Sequence, residues 1–212
     1  EIDDINSKKV HEKIKNIQCD LILSTWHKII KNKVLKLPKF YTVGSHPTDI
    51  NVYRGRHPLH WLINMGVKYS YMNFFIMNQY IDDGLVIYKK RFVVGKKINT
   101  ANKNMIEAAT IGINSIFEKK VINYTLKKLR NKKYKKDVNA NYFRKRNLHD
   151  VTIDIRMTYP IILKIINSFL FPNYPGCRLY YDLNKYLIIK SLKKKNATKK
   201  IFNKYEIGHV FY

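Results

Sequence analysis

Between Gly84 and Lys120 the periodicity of the chain changes once, and that change restricts the folds open to it. GLVIYKKRFVVG sets β-branched and aromatic residues between two glycines and predicts a strand near Leu85 to Val94. NKNMIEAATIGINSIFEKK then spaces Ile106, Ala109, Ile113, Ile116 and Phe117 as one apolar stripe. Asn104 stands as its N-cap and Glu107, three residues on, as the capping-box partner. Gly112 inside this helix costs about 1 kcal/mol of propensity relative to Ala. A strand feeding directly into an amphipathic helix requires a mixed architecture in which helices cover a sheet.

The flanking segments extend that pattern. From Lys8 to Leu37, apolar residues at Val10, Ile14, Ile17, Leu21, Trp26, Ile29, Ile30 and Val34 predict one long or two short amphipathic helices. LPKFYTVGSHPTDINVYRGRHP clusters Pro, Gly, Asn and Ser and reads as a draped loop, and Leu59 to Tyr80 permits a further helical stretch. VTIDIR alternates Val151, Ile153 and Ile155 inward with Thr152, Asp154 and Arg156 outward, a half-buried antiparallel strand. Pro160 opens an apolar helix over Ile161 to Phe171 that Pro172 and Pro175 close. KYLIIK predicts a short strand and NATKKIFNKY a last helix capped by Asn196. The fold class is therefore α+β: an antiparallel sheet with helices packed on one face over residues 77–212, preceded by a helical and loop N-terminal extension, 1–76.

Charge sets the partner class. Lys and Arg number 41 against 15 Asp and Glu, a formal net charge of +26, and such self-repulsion calls for a polyanion. The basic residues run through all predicted elements rather than beside one apolar face, which favours nucleic acid over an anionic membrane. The longest apolar run, YPIILKIINSFLF, is interrupted by Lys164 and too short to span a bilayer, so no membrane insertion is expected. Cys19 and Cys177 give neither a disulfide framework nor a metal knuckle. Because the sequence starts at Glu1 without Met, an upstream segment that was cleaved or left out is expected, and EIDDIN is too acidic to serve as a transit peptide itself. Heavy use of Lys, Asn, Ile, Tyr and Phe points to an A/T-rich genome.

Catalytic signals are sparse. His57 and His60 in HPLH could ligate a metal, but no acid or cysteine pair completes a tetrahedron, and they read as loop histidines. Asp82 and Asp83 precede Gly84 and read as a turn whose two carboxylates point to different sides. No phosphate loop or nucleophile elbow is present. On this reading the chain is not an enzyme and needs no cofactor or metal.

Several co-linear strings carry a resemblance. FVVG leads to Ile106, Ala109, Ile113 and Ile116; Phe143, Arg144 and Arg146 precede Ile153, Asp154, Ile155 and Arg156; YPIILKIINSFLFPNYPGCR retains Pro172 and Arg178; YLIIK through KYEI closes the series. In these the chain from about Met77 onward resembles ribosomal protein five of the large subunit, in a divergent organellar form. The resemblance implies a structural constituent of a mitochondrial large ribosomal subunit, placed in the central protuberance. Its implied partners are large-subunit rRNA, 5S rRNA, P-site tRNA and neighbouring ribosomal proteins, including a small-subunit bridge partner. The alternative is a non-ribosomal organellar RNA-binding or RNA-processing factor.

The RNA-binding residues expected on this basis fall in three groups. Lys119 and Lys120 follow the helix. Lys127, Lys128, Arg130, Lys132, Lys133, Lys135, Lys136, Arg144, Lys145 and Arg146 lie in a basic loop, 126–147, that reaches toward tRNA or neighbouring RNA. Arg156 and Arg178 dock the sheet on rRNA. Lysines supply mobile point charges to phosphates and arginines two-pronged ones, which position a protein without reading sequence.

Overall fold

A computed structural model describes residues 3–26, 28–131, 139–169, 176–183, 185–194 and 205–211. The chain divides into two interleaved compact units: Glu1–Arg56 with Ser70–Phe92 and Met105–Phe143, and His57–Tyr69 with Val93–Asn104 and Arg144–Tyr212. Helices and sheets are mixed, as expected.

In the first unit, α1 (Lys8–Ile17) begins where the Ser7 hydroxyl accepts the Val10 N–H at 3.3 Å. It ends at Gln18, whose φ of 51° turns the chain out of the helix. β1 (Leu21–Leu23) and the short α2 (Asn32–Leu35) follow, so of the one long or two short helices expected over 8–37 the two short ones form, with an unexpected strand between them. The expected loop after them contains β2 (Tyr41–His46) and β3 (Tyr53–Gly55). Tyr41, Thr42 and Val43 suit a pleated buried surface, and β2 stops at His46 because Pro47 has no N–H to give the ladder.

The helical reading of 59–80 resolves into α3 (Pro58–Met65), which belongs to the second unit, and β4 (Tyr69–Met77). The boundary expected between residues 76 and 77 thus falls inside β4, and residues 1–76 are strand-bearing rather than a helical extension. β5 (Gly84–Val93) matches the expected strand. The main sheet of this unit has the order β1-β2-β4-β5. β1 runs parallel to β2, and β2 antiparallel to β4 with His46 opposite Asn73, so the sheet is mixed rather than purely antiparallel.

α4 (Ile98–Ile116) starts earlier than its sequence suggests: Asn104 lies inside it and donates through Nδ2 to the Val93 carbonyl at 2.8 Å. Its buried face carries Ala101, Ala108 and Ile116, while Ile106 and Phe117 are half exposed. The stripe is rotated because Gly112 lets the Phe74 ring rest on the helix backbone; a Cβ there would lie 2.1 Å from Phe74 Cε2. Helix propensity alone favours Ala at this position by about 1 kcal/mol. Overpacking outweighs it: Gly112→Ala is expected to destabilise the protein by about 1–3 kcal/mol, read as a lower midpoint in urea unfolding.

α5 (Lys119–Asn131) occupies the first part of the expected basic loop, and β6 (Asn141–Phe143) its last part; residues 132–138 lie outside the described ones. Lysines and arginines are good helix formers, and Val121, Ile122, Thr125 and Leu126 give the segment its inner face. β6 pairs in parallel with β3, Tyr53 opposite Asn141 and Gly55 opposite Phe143, and the Tyr53 and Phe143 rings stack at 5.0 Å.

The second unit has its own core of Val151, Ile153, Ile166, Phe169, Cys177 and Ile189. β7 (Thr152–Ile153) is two residues long and pairs in parallel with β8 (Cys177–Asp182), which corrects the antiparallel reading of VTIDIR. Ile155, expected inward, is 82% exposed. α6 (Tyr159–Phe169) fits the expected helix, although its predicted closure at Pro172 and Pro175 lies outside the described residues. β9 (Lys185–Lys194) and β10 (Tyr205–Phe211) pair antiparallel and complete the sheet order β10-β9-β8-β7. The predicted final helix falls outside the described residues except for Tyr205, which opens β10. No helix among the described residues is long and apolar enough to cross a membrane.

Candidate functional site

The most unusual polar cluster lies in the first unit, where the end of β2, the middle of β3 and the turn before β5 meet. The sequence builds that turn tightly. Asp82 adopts φ 46° and Gly84 φ 149°, and a Cβ on Gly84 would lie 1.9 Å from the Ile76 carbonyl oxygen. Only glycine fits such a close approach.

Within the cluster, Asp82 Oδ1 stands 3.6 Å from His46 Nδ1, and Asp82 Oδ2 accepts the Gly55 N–H at 2.9 Å. Asp83, next in sequence, points the other way and pairs with Arg54, its Oδ1 2.8 Å from Nη2. Arg54 also donates through Nε to the Ile50 carbonyl at 2.6 Å and through Nη1 to the Tyr142 hydroxyl at 3.2 Å. Both partners are almost fully buried, with side chains 1% and 0% exposed.

His46 is 7% exposed, and its Nε2 has no hydrogen-bond partner among the described residues. Burial pushes its pKa below the usual histidine value, and the Asp82 charge opposes that shift only in part. The imidazole is therefore neutral near pH 7. A carboxylate on the Nδ1 side favours the Nδ1–H tautomer, which leaves Nε2 as a lone-pair acceptor. A buried neutral imidazole with one nitrogen oriented by a carboxylate and the other uncommitted is equipped to take a proton from a nucleophile.

A cavity of about 190 Å³ in the same unit is lined by Ile22, Leu23, Ser24, Trp26, Val34 and Thr42, among others. Side chains alternate along a strand, so Thr42, Gly44 and His46 share one face of β2, and the cavity wall and the imidazole belong to the same side of that strand.

The turn reading of Asp82 and Asp83 holds, including their divergence; their chemistry was missed. The sequence does carry a signal, a histidine ahead of a proline and an acid pair ahead of a glycine, but pairing residues so far apart in the chain needs the fold. Of the two histidines expected in a loop, His57 precedes α3 and His60 lies within it. His60 Nδ1 bonds the Ser168 carbonyl, and burial pushes its pKa down to about 4. Among the described residues no group of three or more His, Cys, Asp or Glu is placed to hold a metal ion.

The fourteen expected RNA contacts are scattered. Lys119, Lys120, Lys127, Lys128 and Arg130 lie on α5, where Lys120 pairs with Glu118 at 2.7 Å and Lys128 sits 4.7 Å above the Tyr124 ring. Lys132, Lys133, Lys135 and Lys136 lie outside the described residues.

The other five belong to the second unit. Arg144 grips Asp150 with two bonds of 2.6 and 2.7 Å, and Lys145 is exposed. Arg146 is buried, its guanidinium 4.9 Å from the Trp61 ring and 4.1 Å from that of Phe169, and burial pushes its pKa down to about 10. Arg156 pairs with Asp154 at 2.5 Å, and Arg178 lies 4.3 Å above the Tyr186 ring.

Comparison with known proteins identifies the cluster's context. The formyl transferase family model matches residues 4–110, half of the 212-residue chain, a span that contains His46 and Asp82. A methionyl-tRNA formyltransferase of Prochlorococcus marinus is 25% identical over 213 residues, covering 93% of this chain and 62% of that protein. The structure of methionyl-tRNA formyltransferase from Clostridium thermocellum superposes with a TM-score of 0.66 at 24% identity, over 98% of this chain and 84% of that one. HypX from Aquifex aeolicus, solved in complex with tetrahydrofolic acid, gives 0.63 at 16% identity, over 94% of this chain and 34% of that one. The chain spans between 24% and 62% of the length of curated relatives it matches.

These findings overturn the resemblance to ribosomal protein five, together with the structural role, the rRNA and ribosomal-protein partners and the expectation of no enzyme that it implied. The alternative, an RNA-processing factor, gains nothing from them either. The strings behind that resemblance are short apolar spacings, which any strand followed by a helix supplies, and scattered Arg and Pro residues that a basic chain offers by chance. The chain belongs to the formyl transferase family.

Proposed function

We propose that this chain carries out formyl transfer from a reduced-folate donor to a primary amine borne by an aminoacylated tRNA. The observation that carries the reading is the dyad of a buried His46 and a partly exposed Asp82, with His46 Nε2 uncommitted. The relatives named for methionyl-tRNA formyl transfer, and the HypX complex with tetrahydrofolic acid, support the two substrate classes. The cavity along β2 has apolar walls and room for a flat ring system rather than an entire folate.

A bound donor supplies the formyl carbon. His46 Nε2 accepts the proton that the acceptor amine gives up as its nitrogen bonds to that carbon. Asp82 stabilises the resulting imidazolium and holds the ring in place. The imidazolium then returns its proton to the departing donor nitrogen, so the transfer has no net proton balance and the imidazole is restored.

Charge favours a nucleic-acid acceptor over a small one. α5 presents Lys119 and Lys127 to solvent in a chain of net charge +26. Changing both to Glu is expected to raise KM for an RNA-borne acceptor about tenfold with kcat retained, and to flatten the salt dependence of binding. Steady-state kinetics at two ionic strengths checks this.

The function itself is tested by incubating the protein with formyl-labelled formyltetrahydrofolate and either an aminoacylated tRNA or an amino-sugar nucleotide. Label on the amine of the aminoacylated tRNA supports the reading. Label on the amino sugar alone would reassign the acceptor, and label on neither would end the proposal.

A further inference from the structure

We propose that Arg54 and Asp83 are positioning residues that sort two adjacent carboxylates, locking one so that the other faces His46. Two consecutive residues of β3 hold two consecutive residues of the turn. The Arg54 side chain takes Asp83, and the Gly55 N–H takes Asp82. With Asp83 held on one side by Arg54, the Gly55 N–H holds Asp82 on the other, where its Oδ1 faces the imidazole at 3.6 Å.

Arg54 is itself held on every side that its donors reach. Nε is fixed on the Ile50 carbonyl, Nη1 on the Tyr142 hydroxyl and Nη2 on Asp83. A single point charge such as a lysine ammonium cannot hold three directions at once. The guanidinium occupies Asp83 Oδ1 at 2.8 Å, which leaves Asp82 as the carboxylate that faces the imidazole.

A purely structural pair at this place would be replaceable by apolar side chains, because a buried ion pair is seldom needed for stability alone. Here the pair sits in sequence contact with Asp82 on one side and with its Gly55 donor on the other, so it controls direction as well as burial.

The inference rests on the proposed function for its kinetic readout and is independent of it for its spectroscopic one. The proteins compared are the full chain, Asp83→Asn and Arg54→Lys, with Asp82→Asn as the reference for a broken dyad. Folding is verified by circular dichroism. The ¹⁵N spectrum of the histidine rings reports the His46 tautomer.

Asp83→Asn is expected to lower kcat about ten- to a hundredfold with KM for both substrates little changed, since misplaced groups cost rate rather than binding. It should also convert the His46 signal from the Nδ1–H form to a mixture like that of Asp82→Asn. Arg54→Lys should fall between Asp83→Asn and the unaltered protein. Should Asp83→Asn fail to fold, Arg54→Lys decides. A folded variant of either kind that keeps the original His46 tautomer overturns the inference. Absence of formyl transfer by the unaltered protein would remove the proposed function, while the tautomer measurement would still decide whether Arg54 and Asp83 set the dyad.

Discussion

Replacing His46 with alanine is expected to lower kcat for formyl transfer by about 10² to 10⁴, the usual contribution of one positioned general base. The protein should stay folded, because the ring stands at the last residue of β2 and its Nε2 makes no bond to lose. The pH dependence adds a second check. Since burial holds the His46 pKa below its ordinary value of 6.5, the acid limb of kcat/KM should lie below pH 6.5. The rate should fall as the pH drops through that limb and the imidazole becomes charged. Asp82 raises the His46 pKa, so Asp82→Asn should move the limb to still lower pH while reducing the plateau. A His46→Ala protein with a rate close to that of the unaltered one would remove the dyad from the mechanism.

Arg54→Met is expected to destabilise the fold by about 3–5 kcal/mol, because it leaves the Asp83 carboxylate buried without its cation. That is a large part of the roughly 5–15 kcal/mol that separates folded from unfolded domains. The accompanying loss of the bonds to Ile50 and Tyr142 acts in the same direction. Pairing the change with Asp83→Leu should recover much of the stability, since the cost lies in the stranded charge rather than in the missing attraction. Urea unfolding of the single and double variants measures both quantities. A single variant as stable as the unaltered protein would mean that Asp83 reaches water in its absence.

What the sequence disclosed followed the strength of its periodic signals. β5, α6 and β9 are legible because each carries a cluster of β-branched, aromatic or other apolar residues bounded by glycine, proline or charge. β2 and β3 are not, because Gly44, Ser45, Pro47 and Gly55 punctuate them as they would a loop, while their strand character comes from buried pairing. α4 is legible as a helix but not in its rotation, since the face that turns inward is chosen by the Phe74 ring lying on Gly112.

The candidate site is the least legible part. Asp82 and Asp83 look alike in a string of letters; only the fold gives one an imidazole and the other a guanidinium. The basic residues drew the eye instead, and several of those with a described environment are engaged within the fold, Arg144 with Asp150 and Arg146 between two rings.

The parallel pairing of β3 with β6 also governs the order in which the protein can assemble. The bond from Arg54 to Tyr142 joins residues 88 apart in sequence. Closing a loop of that length costs about 4 kcal/mol of chain entropy before any contact repays it. Local elements such as α4 and the β4–β5 hairpin need no such closure and can form first. The guanidinium therefore reaches its last partner late, and the geometry of the proposed dyad matures only when most of the first unit is already in place. A nascent or partly unfolded chain would thus carry the dyad's residues without its alignment, and activity would report completion of the fold rather than its beginning.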